Sequence, residues 1–489
     1  MVIEQRDLDK LLYRFDRLKS ERNLFENHWR ELARYCHPTN YFYGQEAGRQ
    51  STRRQLYDST AALSAEALAS ALFALLTNRS MDWFAFEVDP SWPDGERLGD
   101  AIKGVLEDRS NGLYGVLPDL YRDLVTFGTA ILCVEAGRDQ PGSVRFSLRR
   151  LDEMLFACNE AGQITTAFRE FELTAEQCVE RFGENAPKIA QKNALSGDVD
   201  RRVRLVHVVV PNPGVVTGAL GQKGMAYKSL ILHLAGRQII HVGGYHEFPY
   251  LVTRWSMAVG TSQVYGQSPA SLALADIRAL NAMVRTNLIA AQKAVDPPLM
   301  TVDDNGLRGV KTHPGAIVHG GLDIDGKRKV EPLPMGSVGA VNLGLALEEQ
   351  RRDSIRTAFH IGLLQEAHLQ PVQTATEFLG RQEERLRLLA PNLGRLEAEL
   401  LNPLVKRVAA ILQRARVVPP MPLDARVRFL SPLAQAQRAA EAHRLARSIK
   451  ALQPFIDTVP GVMEHLDTAT LTKDLLDFAG LPRLEGVSR

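Results

Sequence analysis

The sequence predicts an α+β fold, mainly α, organised around two long helices that bracket a small β insert. Three observations carry this prediction. Residues 268–295 hold apolar side chains at helical spacing, and Leu343–Phe359 reads as a second helix that is highly charged, with Glu348, Glu349, Arg351, Arg352, Asp353 and Arg356. Between them, residues 299–340 are rich in Gly, Pro and Asp and read as short strands, such as Ala316–Val318 and Lys329–Glu331. Upstream, residues 129–255 alternate in the manner of a sheet.

In chain order, residues 4–36 read as one amphipathic helix. Leu8, Leu12, Phe15, Leu18, Phe25, Trp29, Leu32 and Cys36 form its stripe, which Arg22 alone breaks. Pro38 and Asn40 stop it. An Ala- and Leu-rich helix follows over 54–78, and Met81–Val88 alternates as a strand. The spacing predicts helix over 95–127, interrupted at Asn111-Gly112. Strands are expected at Ala130–Glu135, Val144–Leu148, Ile164–Phe171, Val203–Val210, Ser229–Leu234 and Gln238–Val242, with one helix at Ala175–Phe182. Ser268-Pro269 supplies a capping hydroxyl and a proline at the first helical position, and Asp296-Pro297-Pro298 ends that helix after about 40 Å. Its stripe, Leu274, Ile277, Val284, Leu288 and Val295, is narrow and flanked by alanines, a pattern suited to neighbours on both sides. Residues 361–373 read as a loop. Helix is expected from Thr374 to Arg414 with interruptions at Pro391 and Pro403, then a strand at Ala425–Leu430 and an Ala/Arg-rich helical tail from 433.

Composition excludes several classes of function. At 489 residues, 45% hydrophobic and 24% charged, the chain is an ordinary globular sequence of several layers, and its net charge of +2 is unlike a basic nucleic-acid coat. Cys36, Cys133, Cys158 and Cys178 are scattered with no CxxC pair, which reads as reduced thiols in a cytoplasm and no zinc site. The charged start MVIEQRDLDK is no signal peptide, and no run of about 18 apolar residues would span a membrane. His241 and His246 flank Gly243-Gly244 without a third ligand, so no metal is expected. No P-loop, GxSxG or HExxH is present, and acidic residues form no cluster of the two-metal nuclease kind. The glycine-rich piece Gly214–Gly224 reads as a surface loop. No catalytic residue, cofactor or enzymatic activity is expected.

Charge is segregated in one place. From 381 to 450 stand fourteen Lys and Arg against six Asp and Glu, a net of +8. The choice there is between a solvated helical face and a surface that meets phosphates. Phe429 is the sole aromatic in the span, so base stacking is not expected.

Several short motifs then fall in a recognisable order. Met81-Asp-Trp-Phe follows an Ala-rich helix, and Phe127-Gly128-Thr129-Ala130 precedes Cys133-Val134-Glu135. Gly162-Gln-Ile164, Arg169-Glu-Phe171, Thr174-Ala-Glu-Gln177 and Phe182-Gly183 come next. The densest set is Gly244-Tyr-His-Glu-Phe-Pro-Tyr250, Arg254-Trp255, Tyr265-Gly266-Gln267-Ser268-Pro269, Asp276-Ile277 and Asp296-Pro297-Pro298, with Thr374-Ala375-Thr376-Glu377 after them. Together they resemble the head-to-tail connector, or portal, family of short-tailed bacteriophages. Gln267 departs from the Arg frequent there, and nothing beyond about 430 matches by motif.

The resemblance implies a portal-type subunit. Residues 1–265 and 374–430 would form a wing, 266–298 and 341–360 two stem helices, 299–340 a clip, 361–373 a tunnel loop, and 431–489 a crown. It implies a dodecameric ring at one capsid vertex of the virion, assembled in the host cytoplasm, through which double-stranded DNA is packaged and ejected. Partners would be the terminase packaging motor, capsid and scaffolding proteins, tail adaptors and DNA bound without sequence specificity. Candidate channel residues are Arg351, Arg352, Arg356, Gln365, His368 and Gln370; candidate clip docking residues are Asp303, Asp304, Lys311, Asp323 and Lys327. Two alternatives stay open: a nucleic-acid-processing enzyme with an unrecognised site, and a ring-forming tail adaptor, which would lack the helix–insert–helix hairpin.

Overall fold

A computed structural model describes residues 5–38, 56–79, 82–87, 95–137, 140–216, 218–257, 264–296, 298–301, 325–326, 330–332, 338–362, 389–419 and 426–430. Helix outweighs strand, and the fold is α+β, mainly α.

The first helix, α1 (Gln5–Cys36), lies along two cores at once. Leu8, Phe15 and Leu18 pack on a five-stranded sheet, while Trp29, Leu32 and Cys36 enter the main core. The break in its stripe has a structural reason. Arg22 is buried, donates to the Asp152 carbonyl at 2.6 Å and pairs with Glu26 at 3.0 Å, so a charged residue completes the apolar face by capping backbone beneath it. Small residues on α2 (Thr60–Leu76) allow close packing against α4 (Leu113–Phe127). The helical stretch 95–127 is two helices: α3 (Gly95–Glu107) ends before Asp108, whose side chain accepts the Ser110 N–H, and Gly112 at φ 76° turns the chain into α4.

The main core is closed by a three-stranded antiparallel sheet in which β2 (Thr129–Ala136) lies between β3 (Val144–Arg149) and β9 (Tyr250–Arg254). The five-stranded sheet is a meander of β4 (Met154–Cys158), β5 (Ile164–Thr174), β6 (Arg202–Pro211), β7 (Tyr227–His233) and β8 (Gln238–Tyr245). Strands β4 and β9 and helix α6 (Lys188–Leu195) lie outside the elements expected from the sequence. Strand β9 is buried on both faces, so its residues show no alternation to read. Helix α5 (Ala175–Phe182) opens with a full capping box between Thr174 and Gln177.

Two long helices, α7 (Pro269–Val295) and α8 (Val338–Ala358), then run antiparallel as a hairpin. Between them β10 (Leu299–Thr301) pairs with β11 (Val330–Pro332). The expected strand at Ala316–Val318 and most of the loop 361–373 lie outside the described residues. The chain then returns to the N-terminal body. Helix α9 (Asn402–Arg414) packs on β2 and α3, and β12 (Arg426–Phe429) pairs with β1 (Phe84–Glu87). The irregularity expected at Pro391 and Pro403 is a single π turn at Glu397–Leu401, directly before Pro403; the backbone around Pro391 is helical. Residues 431–489 lie outside the described residues.

His207 joins the two sheets. Buried on β6, its Nδ1 shares a hydrogen bond with the Tyr250 hydroxyl of β9 at 2.7 Å, and its Nε2 one with Ser229 Oγ at 2.8 Å. Burial pushes its pKa down to about 3, helped by the positive charges of Arg169, Arg181 and Arg149 and by His241. An unfolded histidine titrates near 6.5, so the unfolded chain binds the extra proton between those values. The neutral ring's contribution is therefore complete above about pH 6.5 and falls by about 1.4 kcal/mol per pH unit as pH drops toward 3. Urea midpoints measured from pH 7 to 4 should decline more steeply for the wild type than for His207→Gln. Parallel slopes would contradict this assignment.

Candidate functional site

Among the described residues the outer half of the hairpin packs on no other element, and its root explains why it stands where it does. Gly128, at φ 78°, ends α4; Gly266 lies just before α7. Their backbones cross so closely that a Cβ on Gly128 would meet the Gly266 carbonyl oxygen at 2.6 Å, and one on Gly266 would strike the Gly128 oxygen. Around the crossing, Gly266 N–H donates to Thr129 Oγ1 at 2.8 Å, Trp255 N–H to the Gly128 oxygen at 2.9 Å, and Ser268 Oγ to the Thr126 oxygen at 2.8 Å. Ser268 Oγ also accepts the Ser271 N–H at 2.9 Å, the cap expected from the sequence. Two motifs far apart in the chain, Phe127-Gly128-Thr129 and Tyr265-Gly266-Gln267-Ser268, are thus one locked joint. Arg278 of α7 pairs with Glu31 of α1 beside it.

From this joint the hairpin leaves the body. On α7, Leu274, Ile277 and Leu280 are buried, but no described side chain beyond Leu280 is. Leu288 and Ile289 are 45% and 41% exposed, and Val295 is 88% exposed. On α8, Leu345 and Leu347 are exposed while Ile355 is buried. The narrow stripe read from the sequence is therefore split: its first half is core, its second half lies bare.

Charges cluster where the burial stops. Glu348 is 3% exposed, yet it is a carboxylate. Asn287 Nδ2 donates to its Oε1 at 2.6 Å and Arg352 Nη2 to its Oε2 at 3.1 Å. Gly344 leaves the space that Asn287 needs, since a Cβ there would meet the amide at 2.7 Å. Arg352 also donates to Asp58 at 3.1 Å and Glu349 at 3.2 Å. Burial works against its charge, and the hydrogen bonds to Asp58 and Glu349 outweigh it, so its pKa lies above the ordinary value. Arg356 pairs with Glu349 and Asp353, each at 2.8 Å, and these contacts hold the Glu349 carboxyl below its usual range. Arg351 pairs with Asp276 at 2.6 Å.

All three arginines nominated from the sequence thus sit on one helix and all three are ion-paired within the subunit. Gln365, His368, Gln370, Asp303, Asp304, Lys311, Asp323 and Lys327 lie outside the described residues. The sequence reading missed Asp58 and Asn287. The spacing puts Asp58 inside the helix expected over 54–78, but the described helix starts at Thr60, and the residue's role depends on a helix some 290 residues away (separation 294 to Arg352).

The other motif residues are structural ties. Arg254 makes a buried bidentate pair with Glu399 of the π turn, Nη2 donating to Oε1 at 2.7 Å and Nε to Oε2 at 3.2 Å, and also reaches the Gly162 oxygen. Glu247 holds Arg407 and Arg414, and Arg407 donates to the Val134 oxygen at 2.7 Å. In the described part of the basic stretch, Arg407 and Arg414 are therefore bound to Glu247 of the body, and Arg395 pairs with Glu399 within the stretch itself. Among the described residues no group of three or more His, Cys, Asp or Glu could hold a metal ion, and no helix is long and apolar enough to cross a membrane.

The model of one family, described as bacteriophage head to tail connecting protein, matches residues 8–484. The chain belongs to that family. As a head-to-tail connecting protein it is 27% identical over 497 residues to the portal protein of Salmonella phage epsilon15, covering 97% of this chain and 87% of that protein. It is 27% identical over 506 residues to a probable portal protein of Bordetella phage BPP-1, covering 98% and 89%. Among solved structures it is similar to a chain from the neck of an empty GTA particle computed with C6 symmetry. The TM-score is 0.43 and the identity 14%, over 90% of this chain and 94% of that one. A chain from the neck of a native GTA particle computed with C12 symmetry gives 0.41 and 12%, over 89% and 94%.

The joint at the root of this connecting protein's hairpin predicts a sharp contrast between glycines. Gly266→Ala should destabilise the chain by about 2–3 kcal/mol, because the added methyl meets backbone that has no rotamer to change. Gly104→Ala, on α3 with nothing within 4 Å of its Cβ position, should be neutral or slightly stabilising. Urea unfolding of the two variants checks this; equal midpoints would refute the joint.

Proposed function

We propose that the chain is a portal subunit: about twelve copies close into a ring at one capsid vertex of the virion, leaving a channel through which double-stranded DNA is packaged and ejected. The reading rests on one observation, a two-helix hairpin whose apolar side chains in the outer half, Leu288, Ile289 and Val295 of α7 and Leu345 and Leu347 of α8, are exposed among the described residues. A pair of helices with bare Leu288, Ile289, Val295, Leu345 and Leu347 is not stable as an isolated element. Copies side by side in a heterologous, closing arrangement would cover those faces. The family and the names of the two curated relatives agree with it.

In this reading α7 and α8 are the stem, 299–340 the clip, 361–373 the tunnel loop, 431–489 the crown, and the rest the wing. Asp303, Asp304, Lys311, Asp323 and Lys327 would face the terminase motor and later the tail adaptors; capsid and scaffolding proteins would meet the wing. The protein does no bond chemistry of its own. A conduit must not grip its cargo, because each phosphate neutralised by a free cation adds to binding. Pairing of Arg351 and Arg356 with acids of their own subunit suits that demand.

Ring formation is the first test. Negative-stain images of the full chain should show rings, with well over about 2,000 Å² buried per subunit. Leu288→Asp combined with Ile289→Asp should yield single subunits with unchanged circular dichroism. A monodisperse monomer for the unaltered chain across ordinary salt and pH would overturn the reading. Deleting 303–328 should leave rings but abolish packaging; normal packaging would remove the clip from this scheme.

A further inference from the structure

The hairpin meets the body at two levels of different chemistry. At its root the contact is mainly apolar, through Leu274, Ile277 and Leu280 of α7 and Ile355 and Phe359 at the end of α8, with the Arg278–Glu31 pair and the His28–Ser271 hydrogen bond to α1 at its edge. One turn further out it is polar, and a single short strap makes it. Residues 56–58, which lead into α2, lie across both helices. Tyr57 N–H donates to Asn281 Oδ1 at 2.8 Å, and the Arg285 guanidinium stands over the Tyr57 ring at 5.9 Å. Arg352 Nε donates to Asp58 Oδ2 at 3.1 Å. The other oxygen of the same carboxylate, Oδ1, accepts the Thr60 N–H at 2.8 Å and so caps the first turn of α2.

We propose that Asp58 is a positioning residue that sets the tilt of the hairpin on the body through Arg352. The Gly128–Gly266 joint fixes the point where α7 leaves the body, while the apolar cluster just beyond it resists separation but has no directional bond of its own to set the angle of the two helices. The strap is directional, because a carboxylate fixed by a helix cap on one oxygen holds a guanidinium on the other. Asp58 and Arg352 are 12% and 23% exposed, so water and salt screen the pair less than a surface pair. From Asn281 to Val295 the hairpin extends about 21 Å, so a tilt of about 10° at the strap moves the tip roughly 4 Å. Loss of Asp58 would leave Arg352 with Glu348 and Glu349, and the charged cluster would stay paired. The expected consequence is a change of angle without unfolding. This inference concerns geometry within one chain and stands whether or not copies close into a ring.

Asp58→Asn separates the two functions of the carboxylate: the amide oxygen still caps α2, and the NH2 group now faces the Arg352 donor and repels it. Nitroxide labels at Lys192→Cys in the body and Lys293→Cys near the hairpin tip read the angle by pulsed electron spin resonance. The background is Cys158→Ser, the other three cysteines being buried. Labelled full-length protein is diluted into unlabelled protein, so that distances within one chain dominate. The expected result is one narrow peak for the parent and a displaced or broadened peak for Asp58→Asn, with the melting transition of the body unchanged. Asn281→Ala, which removes the acceptor of the Tyr57 N–H while leaving Asp58 and Arg352 intact, should move the peak in the same direction, and it decides the matter if Asp58→Asn fails to fold. Arg351→Ala, which breaks an exposed pair between α7 and α8, should leave it in place. An unmoved peak in both strap variants overturns the proposal, as does an equal shift in Arg351→Ala. Failure of ring closure would appear in micrographs and leave these distances untouched.

Discussion

Everything in this chain is arranged around a place where two backbones touch without side chains between them. Gly128 ends a helix and Gly266 begins the approach to another, and the space between them admits no methyl group. Hydrogen bonds from Gly266, Trp255 and Ser268 close around the crossing, so the three-stranded sheet, helix α4 and the start of α7 share one joint. A long helix that projects from a body acts as a lever, and the point from which it projects is set at its origin. A joint made of backbone hydrogen bonds and steric contact has few alternative arrangements.

The charged residues of the hairpin follow a second constraint. A carboxylate buried to the extent of Glu348 is costly unless it is met by donors, and Asn287 and Arg352 meet it. Such a cluster contributes little net stability compared with a well-packed apolar one, but it accepts only one register of the two helices. Glycine at 344 serves the same end, since it lets Asn287 reach across. The arginines thereby lose their freedom to act as isolated cations along the outer surface.

A connector must be rigid where it bears on its neighbours and weakly adhesive where a polyanion passes. Rigidity comes here from the apolar root, the bidentate Arg254–Glu399 pair and the His207 bridge between sheets. In the proposed channel, weak adhesion would follow from pairing Arg351, Arg352 and Arg356 within their own subunit, because a ring would multiply each free cation by the number of subunits.

The sequence by itself determined the element types and the hairpin. Period-two runs gave most of the strands, the Ser268-Pro269 start and the Asp296-Pro297-Pro298 stop delimited α7 closely, and the motif order pointed to the connector family. These signals are local, and local chemistry writes them directly into residue order. The strands β4 and β9 were illegible because burial on both faces removes alternation, and the π turn was mistaken for proline breaks because Pro403 sits right behind it. Only the tertiary structure decided which side chains meet. That Arg352 belongs to Asp58, Arg254 to Glu399 and Gly128 to Gly266 depends on segments separated by more than a hundred residues. No spacing rule reaches that far, because partners at such separations are chosen by how whole elements pack.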